Sequence, residues 1–338
     1  MAVDIDREAY LKSLEGAAKV KEDAARLGSD LAHKGIRRVY LVGCGSPNRG
    51  MGAIKYWMDR DAKTLETYLY FPAEFTNAAP VRLDEHTLVV LGSHSGTTPE
   101  ILAAAEFLKD KPVVSVGITQ KGDSPLAQNV QYPLLYGESS HGYHALFMIA
   151  LPLLSALMQV NEDWPHHTAI LRSLNHYPSA LADTQEASEK RVTEDARIYK
   201  DDNYMMLLGA GPCFANAYVF GTCVLMEMQW MRIYPCESAE FFHGPFEVID
   251  QTTPLLIFLG EDPSRPETER VVSFAKKFTE RLMIYDSKDY AMKGIDPSVR
   301  AIFAPFILQA AVERLASHLA VWHNHPLTTR RYMWKFPY

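Results

Sequence analysis

Two stretches of this 338-residue chain repeat one another 166 residues apart. Arg38-Val39-Tyr40-Leu41-Val42 runs into Gly43-Cys44-Gly45-Ser46-Pro47 and then into helical apolar spacing through Trp57. Tyr204-Met205-Met206-Leu207-Leu208 runs into Gly209-Ala210-Gly211-Pro212 and then into an apolar stretch expected to form one long helix ending near Pro235. Each copy reads as strand, glycine turn and helix. Ala73-Glu74-Phe75 returns as Ala239-Glu240-Phe241 at the same separation, and the strand candidate 87–91 falls on the apolar run 253–259. This register predicts a tandem duplication of one α/β unit.

Further strand candidates at 113–119 and 130–136 alternate with helical stretches such as 99–109, so each copy should be a parallel sheet covered by helices on both faces. The predicted fold class is α/β with two tandem doubly wound subdomains. The expected organisation is an amphipathic helix within 1–34, a first subdomain over 35–160 and a charge-rich helical connection over 161–200. A second subdomain over 201–324 and a tail over 325–338 complete it.

With 47% hydrophobic and 22% charged residues, the chain has the composition of a globular protein with a sizeable core. Its net charge of −7 offers no long-range field for a polyanion, which argues against nucleic acid as a partner. Cys44, Cys213, Cys223 and Cys236 form no CxxC pair, as expected of reduced thiols in a cytoplasmic protein. The acidic N-terminus does not read as a signal peptide, and the apolar run 145–160, interrupted by Pro152, reads as a buried helix rather than a membrane span.

In the first copy, Gly92-Ser93-His94-Ser95-Gly96-Thr97-Thr98-Pro99 places four hydroxyls at the start of a helix, at the carboxyl end of a strand. Free N–H groups, the helix dipole and the hydroxyls can together hold a phosphate there; the same residues would also serve as plain helix caps. The second copy has Gly260-Glu261-Asp262-Pro263-Ser264 instead, whose carboxylates would repel an anion, so one phosphate site per chain is expected. The Gly43-Cys44-Gly45 turn has Asn48 where a dinucleotide fingerprint needs its third glycine, which disfavours nicotinamide chemistry.

The second copy carries Glu227 among Val224, Leu225, Met226, Met228 and Trp230, where lost hydration should raise the carboxyl pKa toward values useful in proton transfer. A buried Glu paired with an arginine is the alternative. His243, just before Gly244-Pro245, is placed to be an exposed proton carrier, or else a ring hydrogen-bonded into its turn. The groups His141 with His144, and His318 with His323 and His325, have no neighbouring cysteines and are read as ordinary core or surface residues rather than metal ligands.

Cys44-Gly45-Ser46, Ser93-His94-Ser95-Gly96-Thr97-Thr98, Glu227 with His243, and the tail His325-Pro326-Leu327-Thr328-Thr329-Arg330-Arg331-Tyr332-Met333-Trp334-Lys335 resemble a known family. The chain is similar over nearly its whole length to double sugar isomerase (SIS) domain proteins. It resembles the isomerase half of glucosamine-6-phosphate synthase and, more closely, the ketosamine 6-phosphate deglycases; residues 240–247 and the tail look most like the fructose-aspartate 6-phosphate type. The resemblance implies two flavodoxin-like subdomains, with phosphate held by Ser46, Ser93, Ser95 and Thr98 and by His94 in the same loop. It further implies catalysis by Glu227 and by His243 sixteen residues later. Gly45, Glu138, Ser139, Glu240, Arg330 and Lys335 are candidates for contacts to the sugar or amino acid; the alternatives are a solvated turn for Glu138 and Ser139 and, as is usual for terminal basic residues, surface groups for Arg330, Arg331 and Lys335.

No lysine stands before the acid where the synthase has Lys-Leu-Lys-Glu, the synthase's glutamine-hydrolysing domain is missing, and Pro47 replaces a hydroxyl. The implied reaction converts a fructosyl-amino acid 6-phosphate to glucose 6-phosphate and a free amine, with no metal or organic cofactor. A cytoplasmic homodimer is implied, with the His243 loop reaching the neighbouring site and Phe241, Phe242 and Phe246 supplying part of the interface. A phosphosugar aldose–ketose isomerase and a non-catalytic sugar-phosphate-binding regulator would use overlapping residues.

Overall fold

The computed structural model describes residues 4–336 and divides into two compact units. The N-terminal unit comprises residues 6–178 with 294–299; the C-terminal unit comprises 179–293 and 300–336 with residues 4–5. The chain passes from one to the other near the start of the helix Tyr177–Tyr199, so the charge-rich stretch is shared between the units.

The N-terminal unit holds five strands: β1 (Arg38–Gly43), β2 (Glu66–Tyr70), β3 (Thr87–Gly92), β4 (Val114–Thr119) and β5 (Tyr132–Leu135). They form one parallel sheet in the order β2-β1-β3-β4-β5. All six residues of β3 are buried, as a central strand covered on both faces requires, whereas β2 at the edge is half-buried throughout. Helix α1 (Arg7–His33) starts where the Asp6 carboxylate accepts the Ala9 N–H at 2.9 Å. Its buried stripe, including Tyr10, Leu14, Ala17, Ala24 and Leu31, packs along the helix Gly142–Glu162. By length and composition that second helix could cross a membrane, yet 83% of its apolar window is buried inside the protein. It continues through Pro152, and every residue from His144 to Met158 is buried.

The C-terminal unit repeats the plan with β6 (Tyr204–Gly209), β7 (Arg232–Glu237), β8 (Leu255–Leu259) and β9 (Leu282–Asp286), parallel in the order β7-β6-β8-β9. The 166-residue register holds at the starts of β1 and β6, of β2 and β7, and of the helices Pro99–Phe107 and Arg265–Phe278. The repeated Ala-Glu-Phe motif places Phe75 and Phe241, both fully buried, in the cores of their respective sheets.

The helix expected to end near Pro235 ends earlier. An α-helical start, Phe214–Tyr218, passes into π geometry over Val219–Met226 and one last turn, Glu227–Gln229, before Trp230 closes it in the left-handed conformation (φ 57°). Pro235 lies in β7, an edge strand, where a residue without an N–H is tolerated. The apolar run continues across the helix–strand junction, so periodicity alone carries no boundary there.

Candidate active site

In the N-terminal sheet β1 leads across to β2 on one side and β3 to β4 on the other, so the carboxyl ends of β1 and β3 flank the topological switch point where ligands bind open α/β sheets. After β1, Cys44 begins the helix Gly45–Asp61 without a side-chain cap; Gly45 adopts φ +55° and Ser46 is half-buried. After β3, Ser93 is 3% exposed, accepts the Gly96 N–H at 3.1 Å and lies 3.0 Å from the Thr98 hydroxyl. Thr98 is the N-cap residue of the helix Pro99–Phe107 but makes no cap bond with its side chain. Its hydroxyl is turned to Ser93, which leaves the helix's first amides without the cap that a purely structural role would supply.

The exposed Ser95 hydroxyl accepts from the N–H (3.2 Å) and hydroxyl (2.9 Å) of Thr97. Gly96 holds φ +66°, and a Cβ there would come within 2.5 Å of the Ser124 hydroxyl, so the loop's tight turn admits only glycine. His94 is anchored elsewhere: its Nδ1 is 2.7 Å from the Tyr136 hydroxyl, and burial pushes the imidazole pKa down. Glu138 and Ser139 follow β5, two strands from the switch point; Glu138 is exposed and paired with Lys121 at 2.9 Å, and Ser139 accepts the His141 N–H at 3.1 Å.

The C-terminal sheet has its own switch point, between β6 and β8, and fills it with acids. Asp262, 3% exposed, accepts the N–H (3.0 Å) and hydroxyl (2.5 Å) of Ser264. A Cβ on Gly260 would meet Asp262 Oδ2 at 2.5 Å and the Cys213 sulfur at 2.7 Å. Glu237, at the end of β7, accepts backbone N–H groups of Ala239, Gly211 and Ser238, yet burial still pushes its carboxyl up to about 7. Burial, reinforced by the two carboxylates, also holds the Cys213 thiol well above its usual range. An internal carboxyl thus takes amides of the β6 turn that a phosphate would otherwise use.

Glu227 lies elsewhere in the same unit, on a cavity of about 840 Å³ whose wall includes Tyr204, Trp230, Tyr234, Arg330 and Tyr332. Its side chain is 25% exposed, and burial raises its pKa while Arg330 pulls the other way. The arginine is contributed by the tail: Arg330, 8% exposed, places Nε at 2.9 Å and Nη2 at 2.8 Å from Glu227 Oε1. Arg330 is therefore no surface group, contrary to the usual expectation for terminal basic residues; Lys335 and Arg331 are exposed. The tail is seated by Gln229, which bonds the His325 carbonyl and His323 Nδ1, both at 2.9 Å, and by Trp230, which packs on His325 and under the Arg331 guanidinium.

His243 is exposed on a turn, its N–H donating to the Glu240 carbonyl at 2.9 Å and its ring without a hydrogen-bond partner among the described residues. Gly244, at φ +128°, and Pro245 end the turn behind it. Glu240 is exposed as well. Of the phenylalanines expected to supply part of an interface, Phe241 is fully buried, whereas Phe242 and Phe246 are half-buried and pack with it against Phe274. Other histidines are hydrogen-bonded within the packing, His141 to Ser13, His144 to Tyr177 and His318 to Glu189. No group of three metal-ligating side chains occurs among the described residues.

Residues 34–160 match the SIS domain model. The chain is 34% identical to fructosamine deglycase FrlB of Bacillus subtilis over 96% of its own length and 99% of that protein's. It is 28% identical to the fructoselysine 6-phosphate deglycase of Escherichia coli K12 over 90% and 87% of the two chains. A Bacillus subtilis crystal structure, described as a candidate phosphosugar isomerase, superposes with a TM-score of 0.88 at 34% identity, covering 96% of this chain and 99% of that one. With a relative of that identity matched over nearly its whole length, the chain belongs to the SIS-domain family of sugar-phosphate enzymes, in the group that contains the fructosamine deglycases.

Proposed function

We propose that the protein is a ketosamine 6-phosphate deglycase, converting a fructosyl-amino acid 6-phosphate and water to glucose 6-phosphate and a free amino acid or amine. The observation that carries this reading is Glu227, a half-buried carboxylate on the cavity wall whose Oε2 makes no hydrogen bond among the described residues. Such an oxygen can accept a proton from carbon. The whole-length likeness to fructosamine deglycase FrlB supports the substrate class.

The chemistry needs a phosphate anchor and a base. Ser93, Ser95 and Thr98, with Ser46, are the candidate anchor, through their hydroxyls and the uncapped amides of the helix at Pro99. With the sugar open, a step assigned to His243, Glu227 takes a proton from C1 of the ketoamine. The electron pair moves through C1 and C2 to give an enaminol. Reprotonation at C2 leaves an imine between C1 and the substrate's own nitrogen. Water adds to C1 and the amine departs, so atoms balance without oxidant or reductant. Because the substrate nitrogen forms the imine, no enzyme lysine has to precede Glu227. Arg232 and Arg331, on the cavity wall without carboxylate partners among the described residues, suit an amine that carries a carboxylate.

The test is mass-spectrometric screening of the purified protein against a panel of fructosyl-amino acid 6-phosphates. Equimolar release of glucose 6-phosphate and free amine supports the reading. Interconversion of fructose 6-phosphate and glucose 6-phosphate, with no amine released from any member of the panel, would instead make the protein an isomerase.

A further inference from the structure

We propose that Arg330 is a positioning residue for the base: it clamps one oxygen of Glu227 and leaves the other to take the substrate's proton. This rests on the reading of Glu227 as the deglycase base. Two guanidinium nitrogens, Nε and Nη2, converge on the single oxygen Oε1 at 2.9 and 2.8 Å, rather than bridging the two oxygens as a fork-to-fork pair would. Oε2 is left without a hydrogen bond among the described residues, on a side chain that lines the cavity. The third nitrogen, Nη1, is held by the carbonyls of Leu327 (2.6 Å) and Thr329 (3.1 Å), so the tail's own backbone fixes the guanidinium plane.

Fixing one carboxylate oxygen in this way removes rotation about the last side-chain bond, which would otherwise average the two oxygens over the cavity and the protein wall. The pair also acts on charge. Burial of Glu227 favours the protonated acid, which cannot serve as a base, and the Arg330 charge opposes that effect. The other charged or titratable groups on the cavity are Arg232, Arg331, Tyr204, Tyr234 and Tyr332; none of them is bonded to Glu227. Arg330 lies 103 residues downstream of its partner, in a segment whose basic residues look, in sequence, like a solvated terminus.

The experiment compares Arg330→Gln and Arg330→Lys with the parent and with Glu227→Gln. The Glu227 carboxyl is titrated without substrate by infrared difference spectroscopy, with Glu227→Gln as the blank. In Arg330→Gln the titration, and with it the acid limb of kcat, should move to higher pH by about one unit or more, and kcat at neutral pH should fall by ~10–100-fold. Arg330→Lys keeps the charge but not the Nε hydrogen bond or the two-nitrogen approach to one oxygen. Its acid limb should stay near that of the parent while kcat drops several-fold.

Adding Arg330→Gln to Glu227→Gln should cost nothing further, since the group being positioned is already gone. An unmoved carboxyl titration in Arg330→Gln, parental kcat in Arg330→Lys, or a full additional loss in the double variant would each overturn the proposal. Parental activity in Glu227→Gln would instead overturn the deglycase assignment of Glu227. The titration, which needs no turnover, keeps the two failures apart.

Discussion

The two α/β copies share a register and a backbone plan but treat their switch points in opposite ways. The first lines its switch point with Ser93, Ser95 and Thr98 and ties His94 beside them to the Tyr136 hydroxyl. The second brings in Asp262 and Glu237, whose oxygens take the local amides for themselves. The unsatisfied N–H groups at a strand-to-helix turn have the same need in both copies; a ligand can meet it in one, and the protein's own acids meet it in the other.

A second divergence follows the shared Ala-Glu-Phe motif. In the first copy residues Pro72–Ala78 form a short helix, whereas in the second the chain breaks at Gly244-Pro245 and presents His243 on an exposed turn. Phe75 and Phe241 stay fully buried in both, so the packing anchor is kept while the surface segment becomes free to vary. On the proposed reading, one copy holds the anion and the other transfers the proton.

This division of labour can be broken at its strongest point with Glu227→Gln. The amide keeps the shape of the acid but accepts no proton, so kcat should fall by ~10²–10⁴ with KM little changed, as steady-state kinetics on the amine-releasing substrate would show. Turnover within a few-fold of the parent would remove Glu227 from the chemistry.

The converse change makes the first switch point resemble the second. Ser95→Asp introduces a carboxylate and should reduce phosphosugar affinity by about 10²-fold or more in calorimetric titration. Ser93→Ala with Thr98→Val should weaken it through loss of hydrogen bonds worth roughly 1.5–3 kcal/mol each. Unchanged affinity in folded variants would place the phosphate elsewhere.

His243→Asn should lose no more than about 10²-fold in kcat, and should recover with substrate analogues held in the open-chain form if the ring-opening assignment is right. Equal losses on cyclic and open-chain substrates would move His243 to a later step.

The smallest effect belongs to the filled crevice. Glu237 has its carboxyl raised from the ordinary 4.5 to about 7, so the folded state binds the extra proton across that interval. Its contribution to stability is complete below about pH 4.5 and is lost as pH rises through 7. Glu237→Gln should remove that slope and stabilise the protein at pH 8 by on the order of 1–2 kcal/mol, after allowance for partial exposure, as thermal melts at pH 5 and pH 8 would reveal. Identical pH slopes in parent and variant would show that Glu237 is not the buried acid described.

Central strands were easier to read than edges. β1, β3 and β6 are continuous apolar runs because helices cover both faces of a parallel sheet. The edge strands β2, Glu-Thr-Tyr-Leu-Tyr, and β7, which contains Pro235, lack that signature; their pairing with β1 and β6 is supplied by neighbours distant in sequence. The hydroxyl loop was legible from residue type alone, but that the Thr98 hydroxyl turns to Ser93 instead of capping its helix was not.

The sequence by itself determined the duplicated strand–turn–helix plan, its 166-residue register, and the contrast of hydroxyls in one copy with carboxylates in the other. These are local matters of period and side-chain chemistry. Tertiary structure alone decided that Arg330 returns to clamp Glu227, that Glu237 loses enough water to titrate near 7, and that the helix before Glu227 winds into π geometry. Ion pairing and desolvation depend on which distant segments exclude water around a group, and no local spacing encodes that.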